Sequence, residues 1–174
     1  MMESSMNTAL PKTKTVVITP EALLEHWQGH RRLTRKMIEV FPENEFYHFS
    51  IGGMRTYAQL TMEMTDLALP GIKGIATGDW SGYGESGNNT HSAAPKMKQE
   101  VLELWDLITG KINAYWPQIA PERFQETEKA YGQFEAPIYG TILYLIDNEI
   151  HHRAQGYVYL RALGIEPPAF WDRS

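Results

Sequence analysis

The stretch PIYGTILYLIDNEIHHRAQGYVYLRALG, residues 137–164, decides the fold. Pro137 presets φ for a first helical turn, and Gly164 offers the left-handed stop that ends many helices. Alternating steps of three and four place Leu145, Asn148, His152, Gln155 and Tyr159 in one row of that helix. The flanking rows carry Ile142, Ile146, Ile150, Tyr157 and Leu160 on one side, and Leu143 and Val158 on the other. A polar stripe thus runs inside a largely apolar helix. If those rows are buried, the polar groups need partners, because each unpaired one costs about 1–3 kcal/mol. A divalent cation or a shared hydrogen-bond network would supply them.

Three further helices are expected upstream. Thr19-Pro20-Glu21 reads as a cap, a preset φ and a dipole-matched acid. Leu23, Leu24, Trp27, Leu33, Met37 and Ile38 then recur at helical spacing, giving a helix over about 20–40 that Phe41-Pro42 ends. A second is expected from Met54 to Leu69, between Gly52-Gly53 and Pro70-Gly71, with Tyr57, Leu60, Met64 and Leu67 as its apolar stripe. A long Gly-, Asn- and Ser-rich loop over 70–93 precedes a third, opening at Ser92–Pro95 and closing at Trp116-Pro117. Residues 117–137 read as short extended pieces packed across the bundle. The expectation is an all-α, antiparallel four-helix bundle with long loops. It comprises a flexible tail over 1–18 and a single domain over 19–174.

Bulk chemistry narrows the function. Sixteen basic against 21 acidic residues give a formal charge of −5 and no basic patch for nucleic acid. Arg31, Arg32, Arg35 and Lys36 form the densest basic group and read as a solvated helix face. The absence of cysteine removes disulfides and thiolate sites, leaving His, Asp and Glu as metal ligands. Residues 1–14 lack the apolar run of a signal peptide, and nothing approaches a membrane span, so the cytoplasm is the expected location. Neither a phosphate-binding Gly motif nor a G-x-S-x-G elbow is present.

A core metal site needs ligands from facing helices, and Glu63, between Leu60 and Leu67, is the second helix's candidate opposite His152. The run Asn148-Glu149-Ile150-His151-His152-Arg153-Ala154-Gln155, followed by Tyr159-Leu160-Arg161, Gly164 and Pro167-Pro168, resembles the C-terminal helix of the DinB/YfiT-like family. That family's pattern is H-E-I-H-H-R-G-Q, then Y-L-R and a G-x-x-P-P-like end. Arg55 through Glu63 resembles its second-helix segment, which normally ends in a histidine. The resemblance implies one divalent metal (zinc, nickel, iron or manganese) held at three positions. Here these are Glu63, Asn148 and His152, of which only His152 keeps the usual histidine.

Three arrangements follow: a variant Glu63–Asn148–His152 centre, one that recruits His151, His30 or Glu149, or a metal-free Glu63–His152 pair. His26 reads as a surface residue, His48 as a packed loop residue and His91 as exposed. Trp80, Tyr83 and Trp171 read as packing aromatics. By resemblance the chain is a metal-dependent enzyme, hydrolase-like or thiol-transferase-like, acting on an unidentified small molecule. The alternative is a metal-free, stress-associated domain that binds a small ligand or a protein partner. A homodimer formed through a helix pair is the expected assembly.

Overall fold

The structure is a computed structural model that describes residues 16–82 and 91–174. Residues 1–15 of the expected tail, and Tyr83, lie outside the described residues. Helix α1 spans Pro20–Val40, with the Thr19 hydroxyl accepting from the Ala22 amide at 3.2 Å as its cap. A short α2, Glu43–His48, follows, which the sequence reading did not anticipate. Pro42 leads into it, Glu43 and Glu45 complement its positive end, and Phe46 is buried against Phe41 and Tyr57. His48 closes this helix exposed rather than packed.

Helix α3 spans Tyr57–Thr77, starting later and ending later than expected. Thr56 and Gln59 form a reciprocal capping box, which sets the start. Pro70 does not stop the helix. A proline deletes only one helical hydrogen bond, and the turns beyond it bury Ile72 and Ile75 completely. Gly78, at φ 78°, makes the actual end. Helix α4, Lys98–Tyr115, opens a few residues after Ser92–Pro95, where the Glu100 carboxylate accepts from the Met97 amide.

Two 3-10 turns lead to an antiparallel hairpin, β1 (Thr127–Ala130) and β2 (Phe134–Pro137), with Ala130 opposite Phe134. Tyr131 and Gly132 turn it with positive φ. Helix α5, Ile138–Ala162, completes the chain. The all-α expectation is corrected by this hairpin: the described residues are mostly helical, with five helices and one two-stranded sheet. No helix of the described residues is long and apolar enough to cross a membrane.

Helices α1 and α3 each pack on both α4 and α5. At two places α3 and α5 come closer than side chains would allow. A Cβ on Gly156 would lie 2.4 Å from the Tyr57 ring, and one on Gly71 would lie 2.8 Å from Leu145. Beyond Gly71, Arg123 clasps the end of α3, donating to the carbonyls of Ile75 at 2.5 Å and Gly74 at 3.0 Å. It also pairs with Glu128 of the hairpin, whose other carboxylate oxygen accepts from the Trp80 indole at 2.9 Å. Trp80 is thus a clamp between α3 and the hairpin, whereas Trp171 stands 73% exposed.

A charged cluster lies in the core. Arg31 is fully buried, which corrects its reading as part of a solvated face. It donates to Thr109 at 3.0 Å and to the Trp105 carbonyl at 2.9 Å, and stacks on the Trp105 ring. Glu149 lies 3.8 Å from it and accepts from Thr34 at 2.6 Å. Arg153 donates to Thr34 at 3.1 Å and meets His30 Nδ1 at 2.9 Å. Burial pushes the Glu149 carboxyl up, against the pull of Arg31. Burial and the Arg153 charge lower the His30 imidazole to about 3, so it stays neutral. His30 and Glu149, two of the groups considered for recruitment, are thus committed to this cluster.

Two outcomes are expected. Gly156→Ala, which forces a methyl into the Tyr57 ring, destabilises the chain by about 1–3 kcal/mol, as urea unfolding measures. The second concerns pH. Below the usual imidazole value the unfolded chain takes up a proton that folded His30 refuses, so stability falls as pH drops from about 6.5 towards about 3. The loss of urea midpoint between about pH 7 and pH 5 is therefore smaller in His30→Gln than in the wild type.

Candidate functional site

Helices α3 and α5 bring Glu63, Asn148 and His152 together, as the sequence reading expects. Glu63 Oε1 lies 3.0 Å from His152 Nε2, and the Asn148 amide nitrogen is 3.4 Å from the same oxygen. His152 is buried, and the Glu63 side chain is 15% exposed. On the far side of the imidazole, Nδ1 meets the Gln155 side-chain oxygen at 2.9 Å. The row Asn148–His152–Gln155 thus acts as a unit. Asn148 and His152 face Glu63, and Gln155 sets the ring.

The other carboxylate oxygen, Glu63 Oε2, is shut off from solvent. Arg55, just before α3, forms an ion pair with it. His91 approaches it as well, with Nε2 at 3.5 Å. His91 is partly buried rather than exposed, and its Nδ1 lies 3.8 Å from Asp66 Oδ2. Asp66 sits three residues after Glu63 on α3 and accepts the Ser92 backbone N–H at 2.6 Å. That hydrogen bond latches the incoming chain onto α3 and so delivers His91 to Glu63.

Burial pushes the Glu63 carboxyl up, but His152 and Arg55 together outweigh it and hold the group below the ordinary carboxylate range. Glu63 is therefore an anion at neutral pH, ringed by nitrogen groups. In the tautomer whose Nδ1 hydrogen goes to the Gln155 oxygen, His152 turns an Nε2 lone pair towards a carboxylate oxygen. Two lone pairs 3.0 Å apart repel, so either a proton or a metal cation belongs between them.

The donor chemistry fits a divalent cation at this point. Donors about 2.0–2.2 Å from a shared cation stand about 3 Å from one another, the spacing of this pair. Asn148 would contribute only a neutral amide oxygen, after rotation of its side chain. As the side chains stand, no three His, Cys, Asp or Glu groups among the described residues are gathered to hold a metal. His151 is exposed and packs edge-on against the His152 ring.

Sequence reasoning missed His91, Arg55 and Asp66. The signal available was Asp66, which lies at i+3 from Glu63 and so faces the same side. The partner it holds is 26 residues away along the chain, across a loop without periodicity. Removing the latch in Asp66→Ala is expected to raise the hydrogen-exchange rate of the Ser92 amide by about three- to tenfold, the loss of roughly one exposed hydrogen bond.

The comparisons agree with this architecture. A DinB-like protein from Bacillus cereus superposes with a TM-score of 0.68 at 18% identity, covering 87% of this chain and 97% of that one. The DinB-like protein YjoA from Bacillus subtilis gives a TM-score of 0.68 at 16% identity, covering 87% and 99%. No curated protein matches the chain. The model of the DinB family matches residues 6–173. The chain thus belongs to the DinB family.

Proposed function

We propose that the protein is a divalent-metal-dependent enzyme whose centre is anchored by Glu63 and His152, with Asn148 beside them, between the long helices of an antiparallel four-helix bundle. The observation that carries this reading is the pairing of Glu63 Oε1 with His152 Nε2 while Gln155 holds Nδ1. Metal-bound histidines almost always donate their second ring N–H to an oxygen in this way, which fixes the tautomer and ring orientation. When bound, zinc, nickel, iron or manganese would lower the pKa of a coordinated water or thiol, or polarise a carbonyl. The mixed oxygen and nitrogen donors favour harder ions than three imidazoles would.

The chain's own residues then have definite tasks. Glu63 supplies the negative charge, Arg55 offsets part of it, and Gln155 keeps the imidazole turned inward. The resemblance to the family supports hydrolase-like or thiol-transferase-like chemistry on a small molecule.

A second reading is favoured by Arg55, which already neutralises Glu63. In it, His152 carries the proton and the pair is a closed, metal-free ion pair. The domain would then bind a small apolar ligand or a protein partner. A cavity of about 180 Å³ between the hairpin and α5, lined by Tyr131, Phe134, Thr141 and Tyr144, is the place for such a ligand.

Elemental analysis of tag-free protein, purified without added metal or chelator, separates the two readings. The first expects near-stoichiometric metal that is lost in His152→Ala and in Glu63→Ala. No metal, even after reconstitution with each of the four ions, sinks it in favour of the second.

A further inference from the structure

The cavity between the hairpin and α5, about 180 Å³ in volume, has walls that are almost wholly apolar. Tyr131, at the hairpin turn, is its fixed wall. It is the only non-glycine residue with positive φ among the described residues, at 53°. Its hydroxyl donates to the Leu67 carbonyl at 3.0 Å, and Trp80 packs edge-on against its ring at 5.3 Å. Phe134 and Tyr144 also line the cavity yet stand 58% and 55% exposed, so two large rings leave apolar surface uncovered there. The rest of the lining is small, with Ala136 and Gly140 side by side. A Cβ on Gly140 would meet Pro137 at 3.7 Å and Ala136 at 3.9 Å, which is ordinary contact. No steric demand keeps that position bare, and its missing side chain leaves room.

Thr141 adds one polar group to this apolar space. Helical threonines often return the hydroxyl to a carbonyl of the preceding turn. Thr34, Thr61, Thr65, Thr77 and Thr109 each do so, three or four residues back. Thr141 does not. It lines the cavity at 6% exposure, and among the described residues its hydroxyl makes no side-chain hydrogen bond. A buried hydroxyl left unmatched is costly, and the cavity is where a partner fits.

We propose that this cavity binds a small phenol, its single aromatic ring seated among Tyr131, Phe134 and Tyr144 and its hydroxyl hydrogen-bonded to Thr141. The inference rests on the cavity being a ligand site, as in the second reading above, and needs no metal. Size selects one ring, because an apolar cavity of about 150 Å³ takes up benzene. Ring edges and faces suit the aromatic walls. A threonine hydroxyl both donates and accepts, and a phenolic hydroxyl is the smallest substituent that answers it in either role. Thr141 also stands two turns, about 10 Å, before Asn148 on the same face of α5. The ring thus lies along the same helix face as the Glu63 cluster, nearer the hairpin.

The test titrates the full chain with phenol and, separately, with toluene, following backbone amides by two-dimensional NMR. Phenol is expected to shift the amides of Ala130, Tyr131, Ala136 and Gly140 saturably, with a dissociation constant of about 0.1–1 mM for its seven heavy atoms. Toluene should bind at the same place about 3–10-fold more weakly, for want of one hydrogen bond. Thr141→Val, which keeps the shape and removes the hydroxyl, should lower phenol affinity to the toluene level and leave toluene unchanged. Gly140→Leu and Ala136→Leu fill the space from opposite walls, and each should abolish binding of both. Thermal melts of the variants confirm that each is folded.

Phenol that binds no better than toluene, or equally well to Thr141→Val, overturns the phenol assignment and leaves the cavity a place for an apolar ligand. Saturation of neither probe at these amides, or binding undiminished in both leucine variants, overturns the cavity as a ligand site as well.

Discussion

Glu149, closed into the core between Arg31 and Arg153, is the constraint on which the rest depends. Removing one partner of a buried ion cluster leaves an uncompensated charge, which costs several kcal/mol. Helix α5 therefore has little freedom to rotate. Successive helical residues point about 100° apart, so with Glu149 and Arg153 directed at α1, Asn148 and His152 must face α3. The cluster sets the aim of the site without belonging to it. Its hydrogen bonds to Thr34, Thr109 and the Trp105 carbonyl draw α1 and α4 into the same lock.

The two charged clusters of the bundle differ in character. The inner one has two guanidiniums for one carboxylate and lies buried in the core, with Arg31 stacked on the Trp105 ring. The outer one has a single central carboxylate, Glu63, with Arg55, His91, Asn148 and His152 arrayed round it. Partial exposure of Glu63 and His91 gives the outer cluster access to solutes, whereas the inner one has none. Structure and chemistry are thus divided between adjacent faces of one helix, only one residue apart in sequence.

Much of the fold was legible. The row Asn148–His152–Gln155 and its opposite number Glu63 follow from helical spacing, and structure and sequence agree on them. The helix ends were less so. Thr56 caps α3 through a side-chain exchange with Gln59 that outweighs the preceding Met54, and the buried Ile72 and Ile75 carry the helix across Pro70. Arg31 escaped because its burial depends on acceptors from α4 and α5, which no local pattern records. His91 escaped for a similar reason: only the Asp66 carboxylate, across a loop, distinguishes it from a surface histidine.

The clasp of Arg123 on the last carbonyls of α3 carries a wider meaning. Together with the contact of Gly156 on Tyr57, it fastens α3 to the hairpin and α5 at points removed from Glu63. The frame is thus held together away from the Glu63 cluster. Neither fastening touches position 63 or 148, so the two helices stay joined by contacts that the central carboxylate does not make.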